Sequence, residues 1–268
     1  MLLTFITNDP AVSEAADRAG MDRIMVDLER LGKAQRQSGR SLFLSHHEIG
    51  DVARIRQCVT RGQVMVRINP IHWGSRQEID RVIQQGADIL MLPYFHSLGE
   101  VSGFLDLVRG RASAVLLVET AASLAILPQL CKIPQVAEIH IGLNDLSISL
   151  RRQSHFDVIA DGTIEHACRV LRSSGLPFGF GGIASLSRRD LPVRPELMLA
   201  AQVCEGATRG WLGRTFRDVS IPQLPEEVAL LREAIERHRF ATQLDRDFVT
   251  SELRGEIAAQ SLITLDAA

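Results

Sequence analysis

Residues 115–150 read VLLVETAASLAILPQLCKIPQVAEIHIGLNDLSISL, and the reading of the whole chain turns on them. Two runs, Ala114–Val118 and Glu138–Ile141, are short and β-branched enough to be buried strands. Each is followed by a carboxylate among small residues, Glu119 after the first and Asp145 after the second. In α/β folds the C-terminal ends of parallel strands open onto a rim of loops and helix N-termini, where ligands bind. The two acids lie about one strand-helix-strand unit apart, so neighbouring barrel strands would bring them side by side. Facing carboxylates repel unless a cation lies between them, and hard oxygen donors suit Mg²⁺ or Mn²⁺. Taken singly, Glu119 also fits the first turn of a helix and Asp145 an ordinary cap; the pairing at matched strand ends favours a metal site.

The chain has 268 residues, 46% of them apolar and 23% charged, the composition of an ordinary globular enzyme or binding protein, and α/β barrels use such a length as one domain. With 30 basic and 32 acidic side chains the formal charge is −2, which leaves no electrostatic footprint for nucleic acid or an anionic membrane. The N-terminus lacks the basic and apolar regions of a secretory signal, and no apolar run is long enough to span a bilayer. Cys58, Cys131, Cys168 and Cys204 have no C-x-x-C spacing and read as free thiols. A cytoplasmic protein acting on a small molecule is the expectation.

Leu2–Ile6 reads as a first strand, and Pro10–Ala19 as a helix stopped by Gly20. The second strand, Arg23–Leu28, ends in Asp27, Glu29 and Arg30. The segment from Leu31 to Leu44 is polar, basic and longer than a normal connector, as expected of a loop over a site. Ser45 and Glu48 have capping-box spacing and would open a helix running to about Val59. On that helix the adjacent His46 and His47 would diverge by about 100°, a poor arrangement for one metal. Arg67 lies near the end of the third strand, Val64–Ile68, where it would clamp an anionic oxygen or pair with Asp27 or Glu29.

A helix over 75–85, a strand over 88–92 and a helix over 97–109 complete the approach to Glu119. After Asp145 come a helix over 159–174, a strand at Pro177–Phe180, and a turn, Gly179–Gly182, whose N–H groups could face a carboxylate or phosphate. Gly142 would allow close backbone approach to a ligand, with Leu143 and Asn144 beside it. A helix over 196–204 and a strand over 207–212 follow. About eight strands alternate with helices, which predicts a (β/α)8 TIM barrel over residues 1–218. From Pro225 to about Ala259 the pattern is helical, so residues 219–268 form a C-terminal extension that packs on a neighbouring subunit or on the outer wall of the barrel.

Five ordered stretches, Asp22–Glu29, Met65–Pro70, Gly86–Pro93, Val118–Ala121 and Ile141–Ser147, resemble the HpcH/HpaI aldolase and citrate lyase β-chain family over roughly residues 1–218. The resemblance implies a divalent cation, Mg²⁺ or Mn²⁺, held by Glu119 and Asp145, with Arg67 contacting the keto-acid or acyl oxygen and Gly142, Leu143 and Asn144 at the substrate. It implies a carbon-carbon lyase in which a 2-oxo acid such as pyruvate is carried through a metal-stabilised enolate. It also implies a homo-oligomer, trimer or hexamer, that exchanges C-terminal helices.

Two positions depart from the family pattern. A histidine usual after the second strand is replaced by Arg30, and a glutamine usual two residues before the metal glutamate by Leu117. Arginine is no base at neutral pH, so Asp27 or Glu29, acting through water, would have to move the proton. The basic stretch Gly32–Gln37 suggests an anionic or sugar-like second substrate. An acyl-CoA lyase or thioesterase of the citrate lyase type, and a non-catalytic barrel that binds a keto acid, remain alternatives.

Overall fold

The computed structural model describes residues 1–36 and 45–266, and the side chains of these residues except 214 and 261–266. Eight parallel strands, β1 (Leu2–Ile6), β2 (Arg23–Asp27), β3 (Gln63–Arg67), β4 (Ile89–Leu92), β5 (Ser113–Val118), β6 (Val136–Ile141), β7 (Phe178–Phe180) and β8 (Arg209–Trp211), pair in sequence order, and β8 returns to β1. Between β7 and β8 the barrel is closed by Thr208 N–H on the Phe178 carbonyl at 2.8 Å and a bridge from Ile183 to Leu212. The predicted barrel is therefore present.

The helices are α1 (Pro10–Arg18), α2 (Lys33–Arg36), α3 (Ile49–Cys58), α4 (Ser75–Gln84), α5 (Leu98–Val108), α6 (Ala121–Ala125), α7 (Leu127–Leu130), α8 (Leu143–Ser149), α9 (Asp157–Ala160), α10 (Thr163–Ser174), α11 (Pro195–Cys204), α12 (Leu224–His238) and α13 (Gln243–Asp266). Asp9 caps α1 by accepting from Ala11 and Val12. Helix α3 starts later than the Ser45–Glu48 spacing suggests, because Asp51 at its third position, not Glu48, bonds back to the capping backbone, at 2.8 Å from Glu48 N. His46 and His47 consequently lie before the helix.

Strand residues alternate between two apolar layers. Ile24, Val26, Val64, Val66, Leu90 and Leu116 face the helices, whereas Met25, Met65, Ile89, Met91, Val115 and Leu117 fill the lumen. Each fully buried side chain of this size contributes about 1.5–3 kcal/mol, so the twofold pattern sets which charges point inward as well. At the N-terminal end the inward positions are Arg23, Glu138 and Arg209, with both guanidiniums on the one carboxylate.

Helix α12 buries Leu224, Val228, Leu231 and Ile235 on its own barrel, and Arg232 ties it to Asp22 at 2.6 Å. Helix α13 packs on α11 and α9. Both C-terminal helices lie against the chain's own fold and leave Phe240, Leu244 and Phe248 exposed. Cys168 and Cys204 are buried, Cys58 and Cys131 half-buried, and all four are free thiols. Among the described residues no helix is long and apolar enough to cross a membrane.

Candidate active site

The barrel mouth is assembled by strand register. Asp27 on β2 lies opposite Arg67 on β3, and Val118 on β5 opposite Ile141 on β6, with Gly142 N–H on the Val118 carbonyl at 3.0 Å. The residues that follow those paired ends, Glu119 and the first turn of α8 with Asp145, therefore converge. Gly142 serves this convergence directly. A Cβ there would meet Glu119 Oε2 at 2.7 Å, so the missing side chain makes room for the carboxylate.

Arg67 donates from Nε to Asp27 Oδ1 at 2.8 Å and from Nη2 to Oδ2 at 2.6 Å, and its Nη1 lies 3.3 Å from Glu29 Oε2. Lys33 Nζ is 3.1 Å from Glu29 Oε2 and 3.6 Å from Asp27 Oδ2. Arg36 Nη2 reaches Glu29 Oε1 at 2.5 Å and Asp145 Oδ2 at 3.3 Å, and its guanidinium covers the Tyr94 ring at 3.7 Å. Tyr94 adopts a left-handed backbone (φ 48°) that few residues of its size accept, and from there its N–H bonds Glu119 Oε1 at 3.0 Å.

These partners set the charges. Burial pushes the Asp27 carboxyl up, but the charge and hydrogen bonds of Arg67, with Lys33, outweigh it and hold the group below the ordinary carboxylate range. Glu29 is lowered in the same contest, its burial overcome by Arg67, Lys33 and Arg36 against the repulsion of Asp27. Glu119 goes the other way. Its burial, reinforced by Glu29 and Asp145, raises it well above the usual value in spite of Arg67 and Arg36. Four buried carboxylates thus face three cations at the barrel mouth.

One oxygen each from Glu29, Glu119 and Asp145 lie within 4.8 Å of one another, and all three residues are buried. Three convergent hard donors, one of them driven toward its protonated form by burial and by the other two, fit Mg²⁺ or Mn²⁺ and lack the sulfur or imidazole that zinc favours. Beside them opens a cavity of about 460 Å³. Asp27, Lys33, Arg67, Glu119 and Asp145 line it together with Leu143, Phe156, Leu191, Val193 and Met198. His140 reaches it from β6, stacked on Trp211 at 4.2 Å with Nε2 2.9 Å from the Gly181 carbonyl. Burial lowers His140 to about 4, so its ring is neutral at pH 7.

The sequence profile of the HpcH/HpaI aldolase/citrate lyase family matches residues 2–176, more than half of the chain. The chain belongs to the HpcH/HpaI aldolase/citrate lyase family. Solved structures agree in fold. An HpcH/HpaI aldolase/citrate lyase family protein from Burkholderia cenocepacia J2315 is 14% identical, with 89% of this chain and 94% of that one covered at a TM-score of 0.59. The HpcH/HpaI aldolase from Desulfitobacterium hafniense DCB-2 is 14% identical over 90% and 94% at 0.57, and the citrate synthase SbnG 16% identical over 87% and 93% at 0.60. No curated protein matches the chain in sequence. Family membership makes lyase-type chemistry and a divalent cation the general expectation, and the buried acidic triad is able to hold one.

Within this HpcH/HpaI framework, Asp27, Glu29, Arg67, Glu119 and Asp145 are brought together, and Leu143 and Asn144 line the cavity. Glu29, read from the sequence as a proton carrier, stands among the three potential ligands. Lys33 and Arg36 turn onto the carboxylates, whereas the basic stretch Gly32–Gln37 had suggested a second substrate with charge or hydroxyls; Gln37, like the loop to Leu44, lies outside the described residues. In the glycine turn, Gly179 is in β7 and Gly181 N–H bonds the Ile141 carbonyl at 2.9 Å, while Gly181 and Gly182 line the cavity. Arg30, at the family's histidine position, bonds the His47 carbonyl at 2.9 Å, while His47 Nδ1 accepts the Asp27 N–H at 2.9 Å. Tyr94, His140 and Arg36 were not singled out from sequence. For His140 a signal existed: Glu138 and His140 alternate with Ile139 and Ile141, which places both polar residues on the inward face.

Proposed function

We propose that the protein is a divalent-metal-dependent carbon-carbon lyase acting on a 2-oxo acid such as pyruvate, with Glu119 and Asp145, joined by Glu29, holding Mg²⁺ or Mn²⁺. The reading is carried by the three buried carboxylate oxygens within 4.8 Å of one another beside Arg67 at the mouth of the cavity. Arg67, kept charged by Asp27 and Glu29, presents its guanidinium at the rim where the carboxylate or carbonyl oxygen of the substrate would lie. Asp27 lines the cavity, stays ionised at neutral pH and accepts the proton through water. The cation, when bound, would supply the positive charge that makes the carbon next to the substrate carbonyl acidic enough for so weak a base. Leu143 and Asn144 shape the pocket, and Gly142 keeps Glu119 in place.

The exposed Phe240, Leu244 and Phe248 support a homo-oligomer, trimer or hexamer, which light scattering on the purified chain would size. Arg30 in place of a histidine supports a second reading, a barrel that binds a keto acid without turning it over. One experiment separates the two. Mn²⁺ with pyruvate or oxaloacetate should raise the melting temperature, and proton exchange at the pyruvate methyl, followed by NMR in D₂O, should depend on the metal. A thermal shift without exchange leaves the binding barrel, and no shift with any 2-oxo acid removes both.

A further inference from the structure

The cavity is divided by chemistry. Its charged residues gather over β2 to β6, and the segments that follow β6 to β8 contribute mainly Leu143, Phe156, Leu191, Val193, Met198 and Leu212, with Asn144, His155, Thr215 and Arg217 among them. Gly181 and Gly182 line the cavity as well. A Cβ on Gly181 (φ 61°) would meet Leu143 Cδ1 at 2.7 Å, so the wall leans over a bare backbone. Around it Gly181 N–H bonds the Ile141 carbonyl, Gly181 C=O meets His140 Nε2, and the Thr215 hydroxyl oxygen accepts from Ser185 N–H at 3.1 Å.

Volume gives the second constraint. A water molecule occupies about 30 Å³, so 460 Å³ takes roughly 15 non-hydrogen atoms, whereas pyruvate brings about six. The remainder is bounded mainly by apolar side chains, which leave a sugar-like chain fewer partners for its hydroxyls than it needs, whereas an apolar chain needs none.

Resting on the lyase reading, we propose that the carbonyl partner of the 2-oxo acid is an unbranched apolar aldehyde of about six to eight carbons whose tail lies along Leu143, Phe156, Leu191, Val193 and Met198. In the joining direction C3 of the 2-oxo acid gives up a proton and bonds the aldehyde carbon, and the aldehyde oxygen takes up a proton to become a 4-hydroxyl. In cleavage the hydroxyl proton leaves, the C3–C4 bond breaks and C3 regains a proton. No oxidant or co-reactant enters. Arg217 at the cavity lining makes an anionic aldehyde the concrete competitor.

Two measurements on the full chain with Mn²⁺ test this. In the first, pyruvate is offered propanal, hexanal, octanal, glyoxylate, 4-oxobutanoate and glyceraldehyde. The expected result is a kcat/KM that rises about threefold per methylene toward octanal and exceeds the anionic and hydroxylated aldehydes by about tenfold. Preference for 4-oxobutanoate or glyceraldehyde overturns the apolar tail but keeps the lyase; no reaction with any aldehyde removes the lyase. The second does not need turnover. Binding of pyruvate, 2-oxohexanoate and 2-oxooctanoate, which carry the tail of the adduct without its hydroxyl, is followed by calorimetry. Affinity should rise by up to about fourfold per methylene, and Val193→Trp should flatten that rise. A flat series in the parent chain, or a slope that Val193→Trp leaves intact, refutes the apolar subsite whatever the outcome of the first measurement.

Discussion

Two ion clusters sit at opposite ends of the same lumen, and they are built on opposite principles. At the floor Glu138 is gripped by Arg23 and Arg209, and Arg23 also reaches Gln63 Oε1 at 3.3 Å. At the mouth Asp27, Glu29, Glu119 and Asp145 outnumber Lys33, Arg36 and Arg67, and Glu119 is forced well above its ordinary pKa. Burying charge is costly in both places. The floor gives its one carboxylate two guanidiniums, a surplus of positive charge that fastens β2, β6 and β8 across the barrel. The mouth has one carboxylate more than cations, the sign of surplus that a cation site requires.

The sharpest way to break this contrast is to neutralise the surplus. Glu119→Gln with Asp145→Asn should abolish Mn²⁺ binding in calorimetry and lower lyase activity by about 10³-fold or more. The melting temperature of the apo protein should hold or rise, because the change removes like charges rather than a matched pair. Activity that survives the double change would mean that the mouth is a second floor. The reverse holds for Glu138→Gln, which strands two guanidiniums. It should cost about 3–5 kcal/mol in denaturant unfolding while changing Mn²⁺ affinity little.

The sequence made the contrast half visible. Asp27, Arg67, Glu119 and Asp145 each follow or end a short apolar run, so strand periodicity alone placed them on one rim, and the order of five motifs named the family. The floor is harder to read, since Glu138 stands at the head of an apolar run; only its alternation with Ile139 and Ile141 points it inward. Nor could the chain announce that Arg36 would meet Asp145, a contact between residues 109 apart in sequence that depends on barrel closure. Helix α2, a single turn, carries too little periodicity to be read locally.

The histidines sharpen the comparison through pH. His47, packed beside Asp27, and His140, between floor and mouth, are each lowered to about 4, chiefly by burial. Above a pH of about 6.5 both are neutral in the folded and unfolded chains and contribute no slope. Below it the unfolded chain takes up protons that the fold refuses, so stability should fall as pH drops from about 6.5 to about 4, by at most about 3 kcal/mol for each ring. His140→Phe keeps an aromatic partner for Trp211 and should remove about half of that decline in pH-dependent denaturation curves. An unchanged slope would show that His140 is already charged in the fold.

The smallest effect is expected at Arg36, and its sign decides what the mouth is. The guanidinium sits on Glu29 and Asp145, two of the three acids that would hold a metal, and is itself held over Tyr94. If the surplus charge is kept for a cation, Arg36 is a resident competitor, and its attraction to two carboxylates at these distances is several kcal/mol before solvation of the freed side chain offsets most of it. Arg36→Gln should then tighten Mn²⁺ binding by about tenfold, with a gain that shrinks as ionic strength rises. If Arg36 instead plays the part that Arg23 and Arg209 play at the floor, its loss would let the acids separate, and Mn²⁺ binding would weaken in the same titration. Tightening and weakening cannot both follow from one geometry, so this single substitution distinguishes a site held ready for a metal from a closed ionic lock.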